Sequence, residues 1–433
     1  LPDVEDYNDE EVVSEEMSYP EPEDAVDLFA HHTKPLYAVA CSPKDATLVA
    51  SGGGDKLACL WSIGCKDRVH ELKGHANTVS CLSFSKDGQL LASGGMDACV
   101  KIWDILGNLK WTFQGPAKSH EFEWVRWHPS SHLVLAGCTD TTVWLWNADE
   151  GALLNVFCGH GNHVTCGGFT PDGKSICTGS MDATLRIWNP TSGQGTIAKG
   201  YSKASGPLRC LTYTSDSTLA LTGDENGILS VVNIGSGKVT SSFSSHSSSI
   251  NCIGLSLSMP WVATGGSDEK VVIWDLQHSA HRSTFEYQDE VTCLKWLGES
   301  RFVASGCGDG QIHICDTRSG EHVRSFKDHT GNIQQLDVSA DNNFLVSASE
   351  DGDSANLKAT NITMAMINRV IRRMTTEMTQ NSWAYLTTQR WEAEAEAEAE
   401  APSCGVTVGA TFSASIDGKG EVSLFYFNYI FSC

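Results

Sequence analysis

The chain has 433 residues, 41% hydrophobic and 19% charged, and carries a formal net charge of -23. Its length suits two or three ordinary domains or one large repeat fold, and its acidity works against nucleic-acid phosphate and in favour of basic partners. No apolar run is long enough for a membrane-spanning helix, and the N-terminus is acidic where a signal peptide would be basic and then apolar.

Residues 1–30 hold twelve Asp and Glu and no Lys or Arg. Within them, residues 1–24 lack the apolar content to fold and read as an acidic disordered tail, either solubilising or an auxiliary patch for a basic partner. A second acidic run, EAEAEAEAE at 392–400, adds five Glu, and setting both aside leaves about -6 for the rest. The sixteen Cys are scattered, with no C-x-x-C pair, so a zinc ribbon or thioredoxin-type site is not expected. Cys81, Cys166 and Cys252 each follow a His by six residues, and Cys210 and Cys293 fall in matching apolar runs. A small thiol recurring at one strand position reads as a packing residue. It also favours a reducing compartment, so the expected location is the cytoplasm, with the nucleus open as well.

From Ala25 to Leu357 one period organises the chain. Trp61, Trp103, Trp146, Trp188, Val232, Trp274 and Cys315 follow one another at 41 to 44 residues. Six residues before each stands Asp55, Asp97, Asp140, Asp182, Asn226, Asp268 or Asp309. A His lies 22 residues upstream of the acid in several units, as His75, His160, His246 and, for Asp351, His329; His32 and His120 occupy the place with small slips. In the second unit VSCLSFS, LLASGG and CVKIWDI alternate as strands, with KDG and MDA as turns. Self-similarity at this spacing, with G-H at one end and W-D at the other, marks propeller blades. The predicted network runs from Asp through His to a middle-strand hydroxyl and on to the indole: Asp97, His75, Ser93, Trp103; Asp182, His160, Thr178, Trp188; Asp268, His246, Thr264, Trp274. Repetition around a ring makes these groups structural and not a catalytic triad.

GFTPDGKS, residues 168–175, fits the phosphate-loop pattern letter for letter. That chemistry needs a helix beginning at the Lys-Ser. Here ICTGSMDATLRIWN follows, and the repeat aligns the segment with FSKDGQLLASGG. The Asp-Gly is therefore expected to be a hairpin turn, with Lys174 and Ser175 leading into a strand. No cofactor, metal or catalytic group is expected.

The anchors GH75, D97, W103-D104, then GH160, D182, W188-N189, then H246, D268, W274-D275 resemble the WD40 repeat family. Within it the chain is similar to the angio-associated migratory cell protein group, which includes fungal ribosome-assembly chaperones that escort a large-subunit ribosomal protein. DLFAHHTKPLYAVACSPKDATLVASGGGDKLACLW, EFEWVRWHPSSHLVLAGCTDTTVWLW and PDGKSICTGSMDATLRIWNPTSGQ carry the likeness, over about residues 24–351. The resemblance implies an all-β propeller of eight blades. It also implies an N-terminal strand closing the last blade, a job AVDLFA at 25–30 suits.

The eighth unit has His329, Ser347 and Asp351, but DGDSANLKAT follows where a third strand is due, so the last blade is expected to be incomplete. The propeller is accordingly bounded at 25–357, with an atypical tail at 358–433. In that tail MAMINRVIRRMTTEM reads as a short amphipathic helix, the Glu-Ala run is low-complexity, and SLFYFNYIF is an aggregation hazard if exposed. The break inside a blade points to an alternative or mis-spliced C-terminus.

With no nucleophile–base pair outside the structural network, the expectation is a non-enzymatic, monomeric interaction scaffold. The resemblance makes it a chaperone-like adaptor holding a basic segment of a ribosomal protein. Candidate partner-binding residues are Glu121, Glu123, Trp124, Asp224, Glu225, Asp268, Glu269 and Glu350, on loops beside the strand starts and the turn acids. Carboxylates there would pair Arg and Lys, and an aromatic would cover their stems. Alternatives are a signalling or cell-migration scaffold and a cullin-type ubiquitin-ligase receptor. The second is suggested by ICDTR at 314–318, similar to a W-D-x-R box with Cys315 for Trp.

Overall fold

A computed structural model describes residues 25–29, 31–115, 120–244, 246–351, 362–366, 412–416 and 422–426. Among these, strands form eight four-stranded antiparallel sheets and one separate pair. In seven sheets the strands run in chain order; blade one, for example, is Leu36–Cys41, Leu48–Gly53, Ala58–Ser62 and Cys65–Leu72. The first strands of successive blades lie against one another. Ile333–Val338 of blade eight meets both Val291–Trp296 of blade seven and Leu36–Cys41 of blade one, which closes the ring.

Local chemistry explains the blade. The turn between its first two strands is tight: Gly88 and Gly173 adopt φ of 73° and 72° there, the left-handed region that glycine enters without a Cβ penalty. Gly173 sits inside the phosphate-loop-like motif. The chain continues from it into the strand Ile176–Gly179, and Lys174 Nζ lies 3.5 Å from Asp172. The motif is a hairpin.

The middle strand is buried throughout, as in Leu90–Gly95, and is built from small residues because first-strand side chains press on it. A Cβ added at Gly94 would stand 2.5 Å from Cys81 Sγ, and the Gly179–Cys166 and Gly306–Cys293 pairs repeat this at 2.6 and 2.8 Å. The recurring Cys and Gly are thus one packing device. Burial pushes Cys81 up to about 11 and Cys166 and Cys293 up to about 12, so these thiols stay protonated.

The ring is closed where the N-terminal strand was expected to act. Ala25–Phe29 pairs antiparallel with Ile362–Met366, Phe29 opposite Ile362, and that strand pairs with Phe344–Ser349. The last blade therefore has four strands. The incomplete-blade expectation and the boundary at 357 are corrected: the third strand comes from Ile362–Met366 instead of the residues directly after Asp351. The delay places Met364, Ala365 and Met366 in a strand, against the expected helix. The rest of that helix, residues 1–24 and the Glu-Ala run lie outside the described residues.

The chain divides between Arg369 and Val370. In the second unit Phe412–Ile416 pairs antiparallel with Val422–Tyr426, Phe412 opposite Tyr426.

The polar network is present in whole or in part. His75 Nδ1 lies 3.1 Å from Asp97, its Nε2 2.8 Å from Ser93 Oγ, and Trp103 Nε1–H donates to Ser93 at 2.9 Å. Blades four and six repeat the set through His160, Asp182, Thr178, Trp188 and His246, Asp268, Thr264, Trp274. Blades one and eight keep the His–Asp and His–Ser links through His32, Asp55, Ser51 and His329, Asp351, Ser347. In blade one the indole departs from the expectation: Trp61 Nε1 is buried without a partner among the described residues, and the ring stacks on Phe29 at 4.4 Å. Blade seven replaces His by Tyr287, whose hydroxyl meets Ser305 Oγ at 3.1 Å and Cys315 Sγ at 3.0 Å. In blade five Tyr201 reaches Thr222 at 3.1 Å. Blade three abandons the network, with Ala136 in the hydroxyl position and Trp146 stacked on Phe113 at 5.2 Å.

Acid should loosen this framework. Burial holds His160 below its ordinary value, and His128, His313 and His322 are lowered in the same sense by burial. Burial alone would raise Asp182, but hydrogen bonds from Thr184, Gly161 and His160 bring it to about 2. As pH falls below about 6.5, the unfolded chain protonates these histidines first and stability drops. The Asp182 contribution is present above about 4 and is lost as pH falls toward its folded value near 2. His132 acts oppositely: its hydrogen bonds to the Asp149 and Asp87 carboxylates outweigh burial and raise it. That cluster is partly exposed and counts for less. Calorimetric scans from pH 8 to pH 3 should show a falling melting temperature below about pH 6.5; a rise toward pH 5 would contradict the assignment.

Candidate functional site

The His–Asp ends of the blades form one rim of the channel. Here the turn before each third strand is tied to the residue preceding the first strand. Examples are the N–H of Thr139 to Glu121 O at 3.0 Å, of Glu225 to Pro207 O at 2.9 Å, of Gly308 to Glu290 O at 2.9 Å and of Glu350 to Asn332 O at 3.0 Å. These equivalent bonds bring residues far apart in sequence to the same level of the ring. The second residue of each first strand adds Glu123, Arg209, Asn251 and Gln334 at that level.

The rim carries six glutamates in distinct settings. Glu121 and Glu123 flank Phe122 at the start of blade three. Glu123 Oε1 lies 3.4 Å from His163 Nδ1. Burial raises its carboxyl above the usual value, with Glu121 adding to the shift and His163 and Arg209 opposing it. Glu225 is paired with Arg209 at 2.6 Å. Glu290 accepts from Ser267 Oγ at 2.9 Å, and Glu350 from Gln334 Nε2 at 2.9 Å. Glu269 is exposed at φ 65° in the turn of blade six. Glu290 escaped the sequence reading, although it stands immediately before its first strand as Glu121 does.

Three candidates are corrected. Trp124 is 4% exposed, its indole N–H donates to Val164 O at 2.8 Å, and its ring covers Gly137, where an added Cβ would come within 2.2 Å. It fills the place that Cys81 and Cys166 occupy in other blades and packs blade three on blade four, which leaves little of its ring to cover a ligand. Asp224 is 1% exposed and accepts the N–H groups of Gly206, Asn226 and Ile228. Asp268 is consumed by His246 at 2.8 Å and the Ser247 N–H at 2.9 Å. Each acid is taken up within its own blade, and the aromatic is taken up by the contact with the next one.

Deeper in the channel the character changes. Lys295 Nζ lies 2.7 Å from Asp337, whose other oxygen accepts the Cys41 N–H at 2.8 Å. Arg126 lines the same cavity. In the ICDTR segment Asp316 is 2% exposed and paired with Arg301 at 2.9 Å.

The sequence profile of the WD domain, G-beta repeat, matches residues 24–62, 66–104, 107–147 and 151–189, and that of the nucleolar protein 10-like N-terminal domain matches 203–352. The chain is 30% identical over 347 residues to the angio-associated migratory cell protein of Homo sapiens, covering 76% of this chain and 79% of that protein. It is 26% identical over 338 residues to an uncharacterised WD repeat-containing protein of Schizosaccharomyces pombe, covering 76% and 84%. Among solved structures it is similar to Chaetomium thermophilum Sqt1 bound to the N-terminus of ribosomal protein L10, with TM-score 0.71 and 19% identity over 80% of this chain and all of that one. Saccharomyces cerevisiae Sqt1 matches with TM-score 0.71 and 21% identity, with the same coverage.

Proposed function

This chain is a WD40-repeat β-propeller of the angio-associated migratory cell protein family, and from that premise we propose that it is a non-enzymatic adaptor whose glutamate rim holds a basic segment of a ribosomal protein. The observation that carries the reading is Glu123. A carboxylate half-buried at the channel mouth, raised by burial and by its neighbour Glu121, is stabilised when an Arg or Lys arrives. Glu290 and Glu350 extend the acidic rim around the ring, so an extended cationic peptide meets several acceptors in succession. Glu225 is different: a ligand must compete with Arg209 for it. The likeness of fold to Sqt1, seen with the N-terminus of ribosomal protein L10, supports the partner class. The adaptor would act as a monomer in the cytoplasm, with the nucleus also open, and without contacting nucleic acid itself.

The test is calorimetric titration of the full chain with a synthetic peptide from the N-terminus of ribosomal protein L10. Replacing Glu121 and Glu123 together by Gln is expected to weaken binding about tenfold or more, because charge-assisted hydrogen bonds contribute about 1.5–3 kcal/mol each. Affinity should also fall steeply with added salt. Affinity that ignores both salt and the double substitution would refute the reading.

A further inference from the structure

Blade seven departs from the repeat in a way that assembles metal-ligand chemistry. In blades one, two, four, six and eight the turn acid is matched by a His ring nitrogen at 2.8–3.1 Å. In blade seven the His position is Tyr287, which turns its hydroxyl to Ser305 and Cys315 instead. Asp309 is left with the backbone N–H and the side-chain amide of Gln311, at 3.0 and 2.6 Å, and no paired cation among the described residues.

Two residues flanking the same turn also change. Two positions before the turn acid and four after it, blade two has Gly95 and Lys101 and blade six has Gly266 and Val272; blade seven has Cys307 and His313. A Cys307 sulfur, an Asp309 oxygen and a His313 ring nitrogen all lie within 4.8 Å of one another. Cys307 is fully buried and His313 is 8% exposed. A thiolate, an imidazole and a carboxylate are the ligand types of zinc.

The surroundings suit a cation. Nδ1 of His313 has Ser325 Oγ at 2.8 Å and His322 Nε2 at 3.0 Å. With the proton on Nδ1, Nε2 keeps the lone pair that a metal takes, and the outer partners fix the ring. The Gln311 amide likewise orients the Asp309 carboxylate. Asp289 adds a second carboxylate at the border, standing 3.1 Å from where a Cβ on Gly308 would be. We propose that Cys307, Asp309 and His313 form a binding site for a zinc-class divalent cation, which replaces the missing histidine as the partner of the blade-seven turn acid. Burial, and then the charges of Asp309 and Asp289 among others, raise the Cys307 thiol. A dication reverses that balance, so binding releases the thiol proton.

Purified full chain, stripped with a chelator under reducing conditions, is titrated with Zn²⁺ against a chromophoric competitor. In parallel it is titrated with Co²⁺, whose thiolate charge-transfer band reports sulfur ligation. One equivalent should bind and the band should appear. Cys307→Ser should abolish the band, and Asp309→Asn and His313→Ala should each weaken Zn²⁺ more than about tenfold. Cys158→Ser, at an exposed thiol just past the last strand of blade three, should change nothing. Circular dichroism melts in chelator establish which variants fold, and Asp309→Asn, nearly isosteric, carries the test if the others do not. Sub-stoichiometric binding, a Co²⁺ complex without the thiolate band, or a folded Asp309→Asn with unchanged affinity overturns the proposal.

Discussion

Deletion of residues 1–30 is expected to lower the melting temperature of the propeller by roughly 8 °C, on the order of 4 kcal/mol for the loss of one buried aromatic and its strand. The reason is the double duty of Phe29. Its strand is the outer member of blade eight, yet its ring stacks on Trp61 of blade one at 4.4 Å with an interplanar angle of 4°. Phe29 shares one apolar cluster with Leu36, Val39 and Trp61 on one side and Val346 and Ala348 on the other. Removing it opens the seam where the two ends of the ring meet. Phe29→Ala should reproduce most of the loss, while deletion of 1–24 alone should leave the melt unchanged. Equal melts for the full chain and the 1–30 deletion would remove the N-terminal strand from the closure.

The second large effect separates two acids that occupy one consensus position. Asp182→Ala should cost about 3 kcal/mol, because several donors lose their acceptor at once. They are the His160 ring at 3.0 Å, the Gly161 N–H at 2.8 Å, and the Thr184 N–H and hydroxyl at 2.9 and 2.6 Å. His160 is buried, so solvent cannot replace the lost partner. Asp140→Ala should cost less than about 1 kcal/mol. Its bonded partners are the N–H and hydroxyl of Thr142, and the Trp144 indole keeps Thr142 Oγ1 at 2.7 Å without it. Thermal or denaturant melts of the two variants decide the matter. Equal losses would mean that the consensus acid acts through its own turn and not through the histidine network.

The repeat, and with it the fold class, could be read from residue order because each blade writes its own anchors. His75, Asp97 and Trp103 lie within a single repeat, and local turns bring them into register. The hairpin nature of GFTPDGKS was legible for the same reason: what decides it is the strand that follows. Other features depended on contacts between distant segments. That Ile362–Met366 completes blade eight follows from pairing with Ala25–Phe29, at the opposite end of the propeller sequence, and no local pattern encodes such a partner. Trp124 stood among the candidate partner-binding residues, but Gly137 and Gly167 leave room for its ring between blades three and four. Asp224 looked like a docking acid until three backbone N–H groups claimed it. Residue order thus settled the blades, since their hydrogen bonds are short-range and repeat. Only the closed ring decided which carboxylates face solvent, because exposure belongs to the packing of one blade against the next.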